Sequence, residues 1–307
     1  MAGKSISRPI IGPPKQDTFI QSTANSLLSW HEKYYDPLPT PATPFKIKIV
    51  CIADSHNTKP TLPAGDILLH AGDLSQYGTF DEIQAQLTWL NSQPHRWKVV
   101  IGGNHDLLLD QDFVTTHPDR ELEKPGKSCK DLHWGDVIYL QNSSVELDVG
   151  SRKIKVYGCP LTPRFGNFAF QYLPIKDVWK NTVPLDTDVL LTHGPPVGWL
   201  DGNGKGCGWL LDELWRVRPR LAVFGHIHVG RGQRCLWFDG VEACYGNILR
   251  GKRPWVNLAA MAWNVLWSVG IRLMGFGDRT DCSQLVNAAI VGGQNGTELR
   301  DPLVTFL

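Results

Sequence analysis

The sequence has no C-x-x-C pair. Its seven cysteines, Cys51, Cys129, Cys159, Cys207, Cys235, Cys244 and Cys282, are scattered and odd in number, which argues against a zinc knuckle and a disulfide framework alike. Charge of one sign is also missing. With 31 Lys and Arg against 30 Asp and Glu, the formal net charge is +1, so no general nucleic-acid surface is expected. Residues 1–21 contain no continuous apolar core of signal-peptide length, and the expected setting is reducing and cytoplasmic. The glycine-rich run 202–208, with Lys205 and Cys207, lacks the spacing of a phosphate-cradling P-loop and reads as a pocket rim. Proline, by contrast, crowds one end: Pro9, Pro13, Pro14, Pro37, Pro39, Pro41 and Pro44. Residues 1–45 therefore read as a proline-rich N-terminal arm with one helix around 18–34.

Beyond the arm, short apolar runs alternate with helical segments. Strands are expected at 45–53, 66–71, 97–101, 137–140, 153–157, 189–192 and 221–224. A helix is expected over 79–91, where Thr79-Phe80-Asp81-Glu82 fits a capping box and Ile83, Leu87 and Leu90 share one face. Residues 208–217 form a second helix. This alternation predicts an α/β fold with parallel pairing and helices on the sheet faces. The run 255–276 is strongly apolar and holds Trp255, Trp263 and Trp267, at a length near that of a membrane span. Asn257, Asn264, Ser268 and Arg272 interrupt it, and the later apolar runs 285–289 and 303–307 should rejoin the core, so a crossing would split one domain. The expectation is a domain over 46–307 with an apolar helical insertion at about 254–277. Peripheral membrane or protein contact through 255–276 is its alternative role. Residues 107–134, with His117 and His133, read as a lid beside the pocket.

Five phrases close apolar runs: Asp54-Ser55-His56, Gly72-Asp73, Gly103-Asn104-His105-Asp106, His193-Gly194-Pro195 and Gly225-His226-Ile227-His228. Each alone has an ordinary structural reading. All five in order, each behind a strand, point to a metal site where ligands gather at strand carboxyl ends. Asp54 and His56, two apart in an extended chain, face one side and can grip one ion. Carboxylate, amide oxygen and imidazole without thiolate suit manganese, iron (Fe2+/Fe3+) or zinc, whereas calcium would take more oxygen. Two divalent ions against the carboxylates of Asp54 and Asp73 leave the pocket cationic, which suits an anionic phosphate ester. Two metals about 3.5–4 Å apart can hold a hydroxide between them and neutralise charge on the phosphoryl oxygens. His105, with Asp106 beside it, is placed to contact a phosphoryl oxygen or protonate the leaving alkoxide.

These motifs resemble the signature of the calcineurin-like metallophosphoesterase superfamily, D-x-H, G-D, G-N-H-[DE], H and G-H-x-H. Within it, residues 63–73, Tyr157-Gly158-Cys159-Pro160, Thr192-His193-Gly194-Pro195-Pro196 and Val217-Arg218-Pro219-Arg220 are similar to the metallophosphoesterase domain-containing proteins. The resemblance covers about 46–230, with an echo at Val286-Asn287-Ala288. It implies a four-layer α-β-β-α sandwich with two divalent metal ions at one edge. It also implies that Asp54, His56, Asp73 and His228 hold one metal and Asp73, Asn104, His193 and His226 the other, with His105 on the phosphate. The implied activity is hydrolysis of a phosphodiester or phosphomonoester in a small molecule by a metal-bound hydroxide. Its alternatives are a catalytically silent metal-binding scaffold of the same fold and, disfavoured by the neutral charge, a nuclease.

Overall fold

The computed structural model describes residues 18–35, 46–120, 122–274, 281–292 and 298–307. Most of the proline-rich arm, and the end of the expected apolar insertion beyond Met274, lie outside the described residues. Six helices are present among them: α1 (Thr18–Tyr35), α2 (Phe80–Asn91), α3 (Gln111–Thr116), α4 (Gly208–Val217), α5 (Gly240–Leu249) and α6 (Pro254–Leu273). The strands are β1 (Lys48–Ile52), β2 (Ile67–His70), β3 (Trp97–Val100), β4 (Val137–Tyr139), β5 (Ser143–Val149), β6 (Arg152–Cys159), β7 (Thr162–Pro163), β8 (Gln171–Tyr172), β9 (Val189–Thr192), β10 (Leu221–Phe224), β11 (Gly232–Trp237), β12 (Cys282–Asn287), β13 (Val291–Gly292), β14 (Glu298–Leu299) and β15 (Leu303–Phe306).

The chain divides into two compact units, one carrying α1, α5 and α6 and the other carrying the sheets with α2, α3 and α4. In the larger unit two sheets stack, one in the order β15-β1-β2-β3-β4 and the other β11-β12-β10-β9-β6-β5. Strand alternation explains the layering. Ile49 and Cys51 of β1, Ile67 and Leu69 of β2 and Val99 of β3 meet Val156, Leu191, Val223 and Val286 between the sheets. The intervening Val50, Ile52, Leu68 and Val100 pack outward against Ile83, Leu87 and Leu90 of α2. Both faces of these strands are therefore dry, which is why they read as unbroken apolar runs. On the second sheet, α4 is the crossover between the adjacent parallel strands β9 and β10. Ala222 and Phe224 are buried on the face away from the inter-sheet core, which such a crossover covers. The result is a four-layer α-β-β-α sandwich.

The expected parallel pairing holds in the interior and at the edge strand β4, and fails at the other edges. β15 runs antiparallel to β1, β11 to β12 and β5 to β6. β5 gives no unbroken apolar run because Ser143–Val149 alternates charged and apolar residues, as an edge strand does, and β11 gives none because it opens on Gly232-Gln233-Arg234. A tight turn through Gly150, at φ +62°, returns β5 into β6. The two late apolar runs do rejoin the core, as β12 beside β10 and β15 beside β1. The capping box of α2 is made as expected, Thr79 accepting from the Glu82 amide and Glu82 accepting from that of Thr79.

In the smaller unit α6 lies against α5 and α1. Asp239 caps α5 by accepting from the Val241 and Glu242 amides, and Pro254 opens α6 where its missing N–H is harmless. Among the described residues no helix is long and apolar enough to cross a membrane.

One buried carboxylate ties α4 to the preceding loop. Glu213 accepts from the amides of Val183 (2.9 Å) and Asn181 (3.3 Å) and from Arg216 Nε (2.8 Å) and Nη2 (2.6 Å). Burial alone would raise its pKa, but the hydrogen bonds from Arg216 and Val183 outweigh it and hold the carboxyl below its usual range. A depressed carboxylate stabilises the fold above its unfolded pKa, about 4.3, and that contribution is lost as pH falls through the folded value. Glu213→Gln is expected to cost about 1–3 kcal/mol at neutral pH. Urea unfolding at pH 7 and at pH 4 checks this, with the gap to the wild type shrinking in acid.

Candidate metal centre

All five motifs sit where strands end. β1 runs into Asp54 and His56, β2 into Asp73, β3 into Asn104 and His105, β9 into His193, and β10 into His226 and His228. Because β1, β2 and β3 are neighbours in one sheet and β9 and β10 in the other, the carboxyl ends of both sheets contribute to one cluster. The turns approach one another too closely for side chains at certain positions. A Cβ on Gly103 would collide with the amide and carboxylate of Asp73, and one on Gly225 with the carboxylate of Asp54. Residues of the expected donor set are themselves strained: Asp54, His56, Asp73 and His226 have φ of +53°, +41°, +55° and +65°. Such left-handed non-glycine backbones cost about 1–3 kcal/mol each.

Donors converge in three groups, Asp54/His56/His228, Asp73/His193/His226 and His56/Asp73/His105, with the ligand atoms of each within 4.8 Å of one another. Asp73 and His56 belong to two groups each. The floor, Asp54, Asp73, Asn104 and His193, is buried; His56, His105, His226 and His228 form the more open mouth. Hydrogen bonds fix the imidazoles. His193 Nδ1 faces the Ala71 carbonyl at 2.8 Å and must donate to it, which turns Nε2 towards Asn104 Oδ1 (2.9 Å) and Asp73 Oδ2 (3.4 Å). His105 Nδ1 likewise donates to the Gln76 carbonyl at 2.8 Å, leaving Nε2 free. His56 Nε2 stands 3.8 Å from Asp73 and His228 Nε2 3.3 Å from Asp54, while the buried His56 Nδ1 has no hydrogen-bond partner.

Electrostatics divide these groups by charge. Burial pushes the Asp73 carboxyl upward, but His193, His56 and His105 overcome it and hold it well below the carboxylate range. Asp54 follows the same pattern, with His228 its main counterweight. His193, despite complete burial, is pushed up to about 9 by Asp73, Asp54 and the Ala71 carbonyl. Burial, then the charge on His193, pushes His226 down to about 4. Two buried anions thus draw positive charge into the cluster, and nitrogen and oxygen donors without thiolate suit a hard or borderline divalent ion.

Asp106 departs from the expectation of a catalytic carboxyl beside His105. It is fully buried, and its oxygens accept from the amides of Leu74 (3.1 Å), Ser75 (2.9 Å) and Gly103 (2.8 Å) and from Ser75 Oγ (2.7 Å). Burial and then the negative charge of Asp73 push its pKa up to about 6. It joins the turn after β2 to the turn after β3, and so positions Asp73 and Asn104. The anticipated lid is also divided. Residues 110–117 line a cleft of about 240 Å³ with Arg164, Phe168 and Gln171, whereas Leu122 and Leu132 are packed into the core beneath α2.

Several residues that shape the site gave no motif. Buried His70 places Nε2 2.9 Å from Ser55 Oγ, inside the Asp54–His56 turn; its place at the end of an apolar run before Gly72-Asp73 was the available signal. Arg300 donates to the carbonyl of His228, and Asn287, within the Val286-Asn287-Ala288 echo, donates to those of Leu200 and Ile227. The ring of Phe168 lies 4.9 Å from that of His105. Asp106→Ala, which orphans four buried donors, is expected to cost about 2–4 kcal/mol in urea unfolding of metal-free protein. His105→Ala is expected to stay within about 1 kcal/mol of wild type; equal losses would erase the distinction drawn between them.

A family model described as calcineurin-like phosphoesterase matches residues 47–230. Probable rhamnogalacturonate lyase C of Emericella nidulans is 42% identical over 262 residues, which are 84% of this chain and 24% of that protein. The chain therefore spans about a quarter of that relative. Metallophosphoesterase domain-containing protein 1 of Homo sapiens is 36% identical over 244 residues, covering 72% of this chain and 73% of its own. A solved structure of phosphopantetheinyl hydrolase from Mycobacterium tuberculosis aligns with 64% of this chain and 86% of its own, at 16% identity and a TM-score of 0.39. With more than half of the chain under the family model and its motifs converging at the strand ends of both sheets, the chain belongs to the calcineurin-like phosphoesterase family.

Proposed function

We propose that the protein is a dinuclear metal-dependent phosphoesterase acting on a small-molecule phosphate ester. The observation that carries this reading is the pair of donor groups, Asp54/His56/His228 and Asp73/His193/His226, set side by side in one cluster. Asp54, His56, Asp73 and His228 would hold one ion. Asp73, Asn104, His193 and His226 would hold the other, making Asp73 the bridge. The orphaned His56 Nδ1 and the oriented Nε2 of His193 fit such a centre, and the donor chemistry suits Mn2+, Fe2+/Fe3+ or Zn2+. When bound, two such ions supply Lewis-acid activation of water and neutralisation of phosphoryl charge.

The chain's own residues account for the rest. His105, anchored through Nδ1 to Gln76, presents Nε2 to a phosphoryl oxygen or to the departing alkoxide, where proton donation assists bond cleavage. Its ring is flanked by Phe168, which also lines the cleft with Arg164. That cleft, lined by Asp110 and Asp112 as well as Arg164, supports a leaving group with an apolar face and a polar edge. Asp106 keeps the two turns in register and takes no part in proton transfer. The Emericella relative's name describes a whole protein of which this chain spans a quarter, and it does not bear on this site.

Purified protein is expected to carry up to two equivalents of transition metal and to hydrolyse an aryl phosphodiester that releases a coloured phenolate. Chelation should abolish turnover and re-addition of metal restore it. Asp73→Ala should lose both metal and turnover, whereas His105→Asn should keep the metal and lose about 10²–10⁴ in kcat. Elemental analysis beside kinetics checks each. A fully loaded wild type that turns over no phosphomonoester or phosphodiester would make the protein a silent scaffold instead.

A further inference from the structure

Helix α6 is turned inside out. Advancing 100° per residue, Trp255, Val256, Ala259, Trp263, Leu266, Trp267 and Leu273 fall on one face, and all are exposed; the three indoles are 60–66% exposed. The opposite face carries the helix's polar residues inward. Asn257 Nδ2 donates to the Lys252 and Arg253 carbonyls, Asn264 lies against Cys244 of α5, and Ser268 Oγ pairs with His31 Nε2 of α1 at 3.0 Å. Met261 and Val265 are buried between them. A water-soluble surface helix has the reverse arrangement. Phe19 of α1, itself exposed, continues the strip, its ring 6.5 Å from that of Trp255.

The occupant of this face follows from its chemistry. Apart from the indole N–H groups, the strip offers no hydrogen-bonding side chain over a helix about 30 Å long, whereas protein interfaces carry about one hydrogen bond per 100–200 Å². Tryptophan is the residue suited to the boundary between headgroups and acyl chains. Exposed cations, Lys252 and Arg253, stand just before the helix, and residues 243–274 contain no Asp or Glu. That distribution matches an anionic lipid leaflet. Since the helix is not long and apolar enough to cross, it would lie in the plane of the surface. We propose that α6 docks the protein on an anionic bilayer, its tryptophan face sunk into the headgroup boundary and the basic residues at its start against lipid phosphates. Docking in this way is independent of the phosphoesterase reading.

The test uses the full chain with vesicles of phosphatidylcholine alone and with about 30% phosphatidylserine. Wild type is expected to sediment with the anionic vesicles, less so in high salt, with its tryptophan emission shifted to the blue and quenched by brominated acyl chains. Replacing the strip (Trp255→Gln, Trp263→Gln and Trp267→Gln) should lower partition at least about tenfold while metal content and turnover of a soluble ester stay unchanged. Lys252→Glu with Arg253→Glu should weaken binding to anionic vesicles selectively. Absence of vesicle binding, or wild-type binding by the tryptophan variant, overturns the proposal. So does a wild-type dimer that the variant dissociates without either form binding lipid, which assigns the face to a second copy. Should the triple variant not fold, quenching of the wild type by brominated lipid decides alone, and unquenched emission counts against the proposal.

Discussion

Asp73 lies buried where the strand ends of two stacked sheets meet, and the negative charge it keeps there organises its surroundings. A lone carboxylate in such a place would be driven to take up a proton. Here His193 and His56 hold it ionised, while the same carboxylate and Asp54 keep the buried His193 charged. That mutual arrangement exists only because the backbone turns after β2, β3 and β9 come within touching distance. Glycine at Gly72 and Gly103 is what permits it: a Cβ on Gly72 would stand 2.7 Å from His193 Nδ1. The strain in Asp54, His56, Asp73 and His226 is sustained by the surrounding sandwich, whose strands are buried on both faces. Asp106 completes the support by binding the amides of two of those turns at once.

The metal-free charge pattern also indicates what the site is suited to receive. Two anions and an array of imidazoles in a water-poor floor attract multivalent cations, and the imidazoles most exposed at the mouth face whatever the cations attract in turn. A cluster built for structure alone would close over its donors. This one leaves His56, His105, His226 and His228 partly open, and Phe168, which edges a cleft, stands against the His105 ring. Rigid strand ends supply the donors, and the loops between β3 and β4 and between β7 and β8 supply the walls. Specificity can therefore vary without disturbing the centre.

Where a residue's role followed from periodicity or donor chemistry, the sequence was informative. The extent of α4 and of strands β9 and β10, the Thr79/Glu82 cap and the return of β12 and β15 could all be read from it. So could the gathering of the seven expected donors at one set of strand ends, since all five phrases occur in order, each behind an apolar run. Direction in space was less legible. Nothing in Gly103-Asn104-His105-Asp106 distinguishes the imidazole that stands beside Phe168 from the carboxylate that turns back to Ser75. The edge strand β5 was hidden by polar alternation, β11 by its polar first half, and α5 by its near absence of charge. Phe168 and Asn287 reach the site only through tertiary packing. In the other unit, the apolar run was evident but its orientation was not. Only the contacts of Asn257, Asn264 and Ser268 show that the tryptophans point outward.

The central claim is that a shared carboxylate joins two metal positions, and diffraction near a metal absorption edge tests it most directly. Crystals of protein loaded with manganese or zinc should show two anomalous peaks, one beside Asp54, His56 and His228 and one beside Asn104, His193 and His226, with Asp73 between them. One peak, or none within reach of Asp73, would contradict the account.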